Sequence, residues 1–226
     1  MVSILQNFIC TKPKRLELIK KEVPNMAKVF KNYNFFINYN STQYFEEVYE
    51  VYKNNVTKLN FYNNLDRNWG ALTLSILKEV TTPYTLILCE DFEYRIKFED
   101  WKNIMDEVIE NNVEYMPLGR LWKYTKEEYW KEYKKGNNLW FYPSSNSPGS
   151  SLSVDALYKT ELLVEKLEEL MQYPSRRFPL HLPHHFEDIF HEPNGVTKWG
   201  DEVLCAVPKE IILMHIQEET ETTLNK

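Results

Sequence analysis

The sequence predicts an α/β protein with a mostly parallel central sheet flanked by helices. Strand and helix signals alternate through the first half of the chain, as they do in doubly wound sheets. The apolar run Leu86-Ile87-Leu88 has no polar alternation, which is typical of a strand buried on both faces. With 226 residues, 43% of them hydrophobic, the chain can bury a full core, and we expect one domain over residues 1–226.

Three further apolar segments predict the strands that precede this run. Each is bounded by turn-forming residues, as strands usually are. The three segments are residues 2–9, 35–37 and 56–62. Because residues 1–10 lack a basic leader and a long apolar core, they fit a first strand better than a signal peptide.

Three helices are predicted between these strands. Pro13 is expected to begin the first helix and Pro24 to end it. Ser41 or Thr42 is expected to cap the second helix. In the third, apolar residues recur at every fourth position, which favours one buried helix face. These residues are Leu72, Ile76 and Val80.

The strand at Leu86 ends in the carboxylates Glu90, Asp91 and Glu93. The ends of strands in α/β sheets present ligand groups, and adjacent negative charges repel unless a positive group lies between them. A hard divalent ion such as Mg²⁺ or Mn²⁺ takes carboxylate oxygens as ligands and would bring a phosphate-bearing substrate with it. The alternative is a solvated acidic turn.

Two motifs flank the third helix and fourth strand: Arg67-Asn68-x-Gly70 and Cys89-Glu90-Asp91. In this order they resemble the nucleotide-sugar-dependent glycosyltransferases of the GT-A fold, although Cys89 replaces the usual first Asp of the acidic motif. The resemblance implies that the first motif, with Glu90 and Asp91, binds the nucleotide sugar. It also implies a metal ion on Asp91, helped by Glu93 or Glu90. Glycine at a helix N-terminus would let the backbone approach an anion closely.

The same resemblance divides the chain into a nucleotide-sugar-binding half, residues 1–95, and an acceptor-binding half, residues 96–226. It implies that the ends of the first two strands hold the base and ribose. The residues at these ends are Thr11, Arg15, Asn38 and Asn40. An amide side chain can donate to and accept from uracil or a ribose hydroxyl at once. An ordinary turn and helix cap is the alternative for the asparagines.

The second half is less regular. A helix over residues 100–111 and a strand over 113–118 are predicted, followed by an aromatic, charged helix over 124–135. Its aromatic residues would stack on sugar rings or simply dock on the core. The polar stretch 143–151 predicts a loop, which would be a lid or a plain linker. Asp155 is expected to begin a long helix, where it binds an acceptor hydroxyl or caps the helix.

Residues 181–191 contain four of the five histidines and two carboxylates. One interpretation is a metal site on a helix face. The other makes Asp188, with Glu187 second, the general base that deprotonates the acceptor hydroxyl. His184 or His185 would then contact the diphosphate or the acceptor, or orient the base. A capped surface helix is the third alternative.

The C-terminal apolar runs 203–207 and 211–214 predict edge strands or buried segments. His215 follows the second run directly. In the resembling family a late histidine returns to the metal ion, which implies that His215 is a ligand. A structural histidine is the alternative.

Composition excludes several classes of protein. The net charge of -6 argues against nucleic acid as the main partner. Three cysteines without a C-x-x-C pair argue against a zinc site or disulfides, so we expect a reducing, cytoplasmic location. No stretch approaches 18 uninterrupted apolar residues, so no transmembrane segment is expected.

Together these observations predict a metal-dependent glycosyltransferase using Mn²⁺ or Mg²⁺. It would move a sugar from a nucleotide diphosphate sugar to a hydroxyl, on a glycan or another acceptor, with inversion. A sugar-nucleotide nucleotidyltransferase is one alternative, although no glycine precedes Gly70 and a glycine-rich loop after the first strand is missing. A non-catalytic carbohydrate-binding module is the other. It would explain the many aromatic residues without a metal.

Overall fold

The structure is a computed structural model that describes residues 2–65, 68–118, 133–146, 152–173, 183–189 and 202–216. Within these ranges the side chains of Asn146, Pro183, His184, Asp188 and His215 lie outside the description.

Strands and helices alternate through the first half, as the sequence predicts. The strands are β1 (Val2–Phe8), β2 (Asn34–Tyr39), β3 (Leu59–Tyr62), β4 (Tyr84–Ile87) and β5 (Phe92–Tyr94). The helices are α1 (Pro13–Val29), α2 (Phe45–Asn55) and α3 (Trp69–Leu77).

The second half adds six strands and three helices among the described residues. The strands are β6 (Tyr115–Pro117), β7 (Lys134–Lys135), β8 (Leu139–Pro143), β9 (Ala156–Lys159), β10 (Leu204–Pro208) and β11 (Leu213–His215). The helices are α4 (Phe98–Glu110), α5 (Thr160–Leu170) and α6 (Pro183–Ile189).

Nine strands form one sheet in the order β3-β2-β1-β4-β9-β6-β10-β8-β7, so a single sheet contains strands from both halves of the chain. The first four run parallel to one another, whereas β9 is antiparallel to both β4 and β6. The pair β6 and β10 is parallel, and β8 is antiparallel to β10 and to β7. The predicted α/β sheet flanked by helices is confirmed, with a parallel first half and a mixed second half.

The two faces of the sheet carry separate hydrophobic clusters. Ile4 of β1 and Leu86 of β4 pack in the cluster that contains the buried residues of α1, α2 and α4. The next residue of each strand, Leu5 and Ile87, packs in the cluster that contains α3, α5 and α6. Because successive side chains of a strand point to opposite faces, strands covered on both sides need apolar residues at every position.

Two helix boundaries differ from the prediction. Helix α1 does not end at Pro24 but continues to Val29, because its last turns bury Val23, Met26 and Ala27. That burial outweighs the backbone hydrogen bond that proline removes. The cap predicted for α2 is also wrong, since the helix begins at Phe45 after Tyr44 in a left-handed conformation.

Two predicted helices of the second half are wrong in part. Asp155 does not begin a helix, because the four residues after it form β9 between β4 and β6, and α5 starts only at Thr160. The end of the predicted aromatic helix is the edge strand β7, while residues 124–132 lie outside the description. Tyr133 stacks on Tyr142 with ring centroids 4.9 Å apart. No helix in the described ranges is long and apolar enough to cross a membrane.

Candidate active site at the ends of strands β1 and β4

Three chain segments meet at one edge of the sheet. Strands β1 and β4 are parallel neighbours, with Leu5 opposite Ile87, so their carboxyl ends lie at the same edge. Strand β9 runs antiparallel to β4, with Ala156 opposite Ile87, so its beginning lies at this edge as well. The fold therefore brings together the segments after β1, after β4 and before β9. Ligands of α/β sheets bind at such an edge.

Arg15 in the first turns of α1 contacts the acidic end of β4. Its guanidinium forms an ion pair with Glu90, and its Nη2 lies 3.4 Å from Oδ2 of Asp91. The exposed fraction of the side chain is 31% for Arg15, 5% for Glu90 and 14% for Asp91. Burial alone would lower the pKa of Arg15, but the charges of Glu90 and Asp91 raise it above its ordinary value. Arg15 thus supplies part of the positive charge that the carboxylates require.

Glu90 is a buried carboxyl whose ionisation is disfavoured. Its pKa is raised to about 7 by the combined effect of burial, which raises it most, the attraction of Arg15, which lowers it, and the charge of Asp91, which raises it. Such perturbed carboxyls are typical of functional sites as well as of structural ion pairs. Asp91 is the more exposed of the two and is the better oxygen ligand for a cation or a phosphate-bearing molecule.

Asp155 lies directly beside the end of β4. Its Oδ1 accepts a hydrogen bond of 2.9 Å from the backbone N–H of Cys89. The pKa of Asp155 is raised to about 8 by the combined effect of burial, which raises it most, the hydrogen bond from Cys89, which lowers it, and the charges of Asp91 and Glu187, which raise it. Asp155 is therefore a neutral carboxylic acid below this pH, next to the charged groups of the site.

Gln6 is a site residue that sequence reasoning missed. Its Nε2 donates to the backbone carbonyl of Cys89 at 3.3 Å, and its Oε1 accepts from the Tyr52 hydroxyl at 2.7 Å. Only 1% of Gln6 is exposed. The signal that could have found it is a polar amide between the apolar residues Ile4 and Phe8 on one face of a strand, because a buried amide needs hydrogen-bond partners.

The residues predicted to hold the base and ribose lie near this edge in different environments. Asn38 is buried, and its Nδ2 donates to Oδ1 of Asn7 at 3.0 Å while its Oδ1 accepts from the N–H of Asn64 at 2.9 Å. Its amide thus holds the segment after β3. Asn40 donates its backbone N–H to Phe8 at 2.8 Å. Thr11 follows β1 and is exposed.

The start of α3 is built for packing as well as capping. The Asn68 side chain accepts from the N–H of Ala71 at 3.0 Å, which makes Asn68 the N-cap. A Cβ on Gly70 would meet Cδ2 of Leu170 at 2.8 Å and Sδ of Met171 at 3.3 Å. A side chain at position 70 would therefore force Leu170 to shift where α3 approaches the end of α5. Arg67 lies outside the described residues.

Strand β11 returns the C-terminal part of the chain to the acidic end of β4. His215 is opposite Phe92 in the antiparallel pair β5–β11, and the N–H of Ile216 donates to the carbonyl of Asp91 at 3.0 Å. Position 215 thus lies next to Asp91 along the backbone, while the His215 side chain is outside the description. Glu93, by contrast, forms an ion pair of 3.0 Å with Arg95.

Helix α6 contributes a further carboxylate to this edge of the sheet. Glu187 is half-buried, and its charge helps to raise the pKa of both Asp155 and Cys89, so it lies within electrostatic reach of them. His185 is fully buried, with Nε2 3.2 Å from the carbonyl of Tyr173. The side chains of the predicted residues His184 and Asp188 lie outside the description.

The chemistry of the site fits a divalent ion held largely by its substrate. The described residues contain no group of three or more His, Cys, Asp or Glu arranged to hold a metal. Mg²⁺ and similar ions are nevertheless commonly bound by one or two carboxylates together with substrate phosphates and water. Asp91 suits that role, because its carboxylate is partly exposed and its contact with Arg15 is long.

Comparison with known proteins assigns the fold. A structure of S. aureus TarS, residues 1–349, aligns with a TM-score of 0.60 and 14% identity, covering 95% of this chain and 60% of that one. TarS bound to UDP-GlcNAc aligns with a TM-score of 0.59 and 15% identity over 97% of this chain and 59% of that one. The mannosyltransferase PcManGT from Pyrobaculum calidifontis, in complex with GDP-Man and Mn²⁺, aligns with a TM-score of 0.61 and 12% identity, covering 97% and 58%.

The chain therefore has the GT-A fold of nucleotide-sugar glycosyltransferases, as the sequence motifs predicted. It spans about 60% of the length of the first TarS structure. No protein-family model and no curated protein matches the sequence.

Proposed function

We propose that the protein transfers a sugar from a nucleotide diphosphate sugar to a hydroxyl group of an acceptor. The observation that carries the proposal is the group formed by Arg15, Glu90 and Asp91 at the end of β4, within a fold whose solved examples include UDP-GlcNAc and GDP-Man complexes. Residues 1–95 would bind the donor and residues 96–226 the acceptor.

Donor binding would use the edge formed by β1, β2 and β4. Asp91 would hold the divalent ion, with Glu93 or His215 as further ligands, and Arg15 would attract the diphosphate. Bound Mn²⁺ or Mg²⁺ would stabilise the negative charge that develops on the departing diphosphate. The proposal is supported by the long contact between Asp91 and Arg15 and by the return of β11 to this edge.

The base and ribose would lie beside the loops that follow β1, β2 and β3. The residues proposed to line this part are Thr11, Asn38, Asn40, Arg67, Asn68, Gly70 and Glu90. The exposed position of Thr11 supports this assignment. Asn38 would act by holding the segment after β3, since its amide already bonds to Asn7 and Asn64.

The acceptor hydroxyl would lose its proton to a carboxylate of α6. We assign this role to Asp188, with Glu187 as the second candidate, and we place His184, His185 and Asp155 around the acceptor. Support comes from the charge of Glu187, which helps to raise the pKa of Asp155 and so indicates that α6 lies close to the donor edge. A base on the side of the sugar opposite the diphosphate predicts inversion at the anomeric carbon.

The test is a panel of nucleotide sugars screened by thermal stabilisation with and without Mn²⁺, followed by turnover assays. Asp91→Asn should abolish the metal-dependent shift, because the carboxylate ligand is removed. Asp188→Asn should still bind the donor but lose about 10²–10⁴-fold in kcat, the usual contribution of a general base. Asp106→Asn, on the exposed side of α4, is the matched control and should behave as wild type.

Two outcomes would contradict the proposal. A preference for nucleoside triphosphates would indicate a nucleotidyltransferase. Sugar binding that does not depend on metal or nucleotide would indicate a carbohydrate-binding module.

A further inference from the structure

The backbone of Cys89 is held on both sides, by a side chain of β1 and by a side chain just before β9. Its N–H donates to Oδ1 of Asp155 at 2.9 Å, from the segment before β9. Its carbonyl accepts from Nε2 of Gln6 at 3.3 Å, from the middle of β1. Strand β4 ends at Ile87, and Leu88 donates one more backbone bond to Leu5 at 3.1 Å. The two side chains thus continue the hydrogen bonding of β4 where the backbone ladder stops.

Gln6 is held in place through its side chain, and Asp155 through its backbone. The Tyr52 hydroxyl donates to Oε1 of Gln6 at 2.7 Å, which directs the amide nitrogen of Gln6 toward Cys89. The backbone N–H of Asp155 donates to Oγ of Ser153 at 3.2 Å, and its carbonyl accepts from Leu118 at 2.9 Å. A side chain locked in this way loses little entropy when it orients a neighbour, so it holds that neighbour rigidly.

Burying these polar groups has a cost that packing does not explain. Gln6 is 1% exposed and Asp155 is 8% exposed, in a sheet covered by apolar clusters on both faces. A leucine at either position would avoid the desolvation penalty of a polar group. What the polar groups provide is one hydrogen bond to the backbone N–H and one to the carbonyl of Cys89, the residue directly before Glu90 and Asp91.

We propose that Gln6 and Asp155 are positioning residues that clamp the backbone of Cys89 and thereby position Glu90 and Asp91, the carboxylates assigned above to the donor and its metal ion. The inference rests on the proposed function, and it explains why the acidic motif can begin with a cysteine. Both hydrogen bonds are made by the backbone of Cys89, whose side chain is partly buried, so they do not depend on which side chain stands at this position. Burial holds the pKa of the Cys89 thiol well above its ordinary value.

Backbone amide exchange tests the clamp without any ligand. In the full chain at pH 6, where Asp155 and its amide analogue are both neutral, Asp155→Leu should speed exchange of the Cys89 amide about tenfold or more. Asp155→Asn keeps the acceptor oxygen and should retain protection. Thr82→Val is the matched control, because it removes two buried hydrogen bonds at the opposite end of β4.

The affinity for UDP and GDP in the presence of Mn²⁺ tests what the clamp is for. Asp155→Leu and Gln6→Leu should each weaken binding of the nucleotide that wild type binds by about tenfold or more, because misplaced ligand groups bind poorly. Asp155→Asn should bind within about threefold of wild type, as should Thr82→Val. This comparison separates positioning from a general loss of stability.

The inference is overturned if the Cys89 amide stays protected in Asp155→Leu, or if both leucine variants bind no worse than Thr82→Val. A wild-type protein that binds neither diphosphate contradicts the proposed function. In that case an unchanged exchange rate of the Cys89 amide in Asp155→Leu also refutes the clamp. A faster rate shows that the clamp orients the end of β4 without a role in donor binding.

Discussion

The two ends of strand β4 are built from different chemistry. Where the strand begins, neutral hydroxyls bond to each other and to the backbone. Thr82 lies 2.8 Å from Ser3, Thr85 lies 2.9 Å from Thr160, and Thr160 donates to the Thr82 carbonyl at 2.7 Å. These are ordinary buried hydrogen bonds, each stabilising by about 1 kcal/mol.

Where β4 ends, the buried polar groups are ionisable. Glu90 and Asp155 have pKa values raised to about 7 and about 8, chiefly by burial, and Arg15 lies among the carboxylates. The beginning of the strand therefore stabilises the fold with neutral groups, whereas its end holds carboxyl groups that burial makes costly to ionise. The comparison favours the end of β4 as the place to look for function, since perturbed carboxyls concentrate at sites of binding and catalysis.

The largest expected effect is on the pH dependence of stability. The pKa of Asp155 rises from 3.8 to about 8 on folding, so its contribution to stability is full below pH of about 4 and is lost as the pH rises. The free energy of unfolding should fall by up to about 1.4 kcal/mol per pH unit between these values. Urea denaturation of wild type and Asp155→Asn at several pH values measures the difference.

Other groups at this edge also affect how the free energy of unfolding depends on pH. The contribution of Asp155 is therefore obtained as the difference between wild type and Asp155→Asn. Glu90, whose pKa is raised from 4.5 to about 7, gives a slope of the same sign that remains in the variant, and Asp91 and Glu187 also face Asp155. If the free energy of unfolding depends on pH equally in wild type and Asp155→Asn, the pKa of Asp155 is not raised on folding.

The next largest effect is a loss of stability expected when the guanidinium of Arg15 is removed. Arg15→Met should destabilise the protein by about 2 kcal/mol, because it leaves Glu90 and Asp91 together without their cation. Adding Glu90→Gln should recover part of the loss, since the remaining repulsion is removed. Chemical denaturation of the single and double variants measures both. A double variant less stable than Arg15→Met would contradict the proposed charge balance.

A smaller effect is expected at Gly70, which stands at the same edge as the charged groups. Alanine usually stabilises a helix relative to glycine, but here its Cβ would meet Leu170 at 2.8 Å. Gly70→Ala should therefore destabilise by about 1–2 kcal/mol in a denaturant titration. A more stable variant would mean that α3 and α5 do not approach this closely.

The smallest effect is expected at the other end of β4. Thr82→Val should cost about 1 kcal/mol and leave the pH dependence of stability unchanged, because it removes neutral hydrogen bonds. Thermal denaturation at pH 5 and pH 8 gives the comparison. If the stability of Thr82→Val depends on pH differently from that of wild type, the beginning of β4 also contains groups whose ionisation affects stability, and the two ends do not differ in this way.

Much of the fold followed from the sequence because its signals are local. The apolar run before Glu90 and the proline at the start of α1 each act on their own segment. The continuation of α1 past Pro24 did not follow, because burial of residues far along the helix decides it. Strand β9 was missed because its four residues run directly into the apolar pattern of α5.

Only part of the candidate site was predicted from the sequence. The carboxylates at the end of β4 were predicted, since like charges after a buried strand are informative by themselves. The contacts of Arg15 with those carboxylates and of Gln6 and Asp155 with Cys89 join residues far apart in the chain. Such pairs depend on strand order and register, which a single sequence does not contain.

The most direct test of the central claim is the effect of Mn²⁺ on backbone NMR signals in the presence of UDP or GDP. Paramagnetic Mn²⁺ broadens signals of nearby nuclei. The account predicts strong broadening for the amides of Glu90, Asp91 and Ile216, little for Thr82, and loss of the effect in Asp91→Asn. Broadening that centres elsewhere, or that survives in Asp91→Asn, would contradict a cation site at the end of β4.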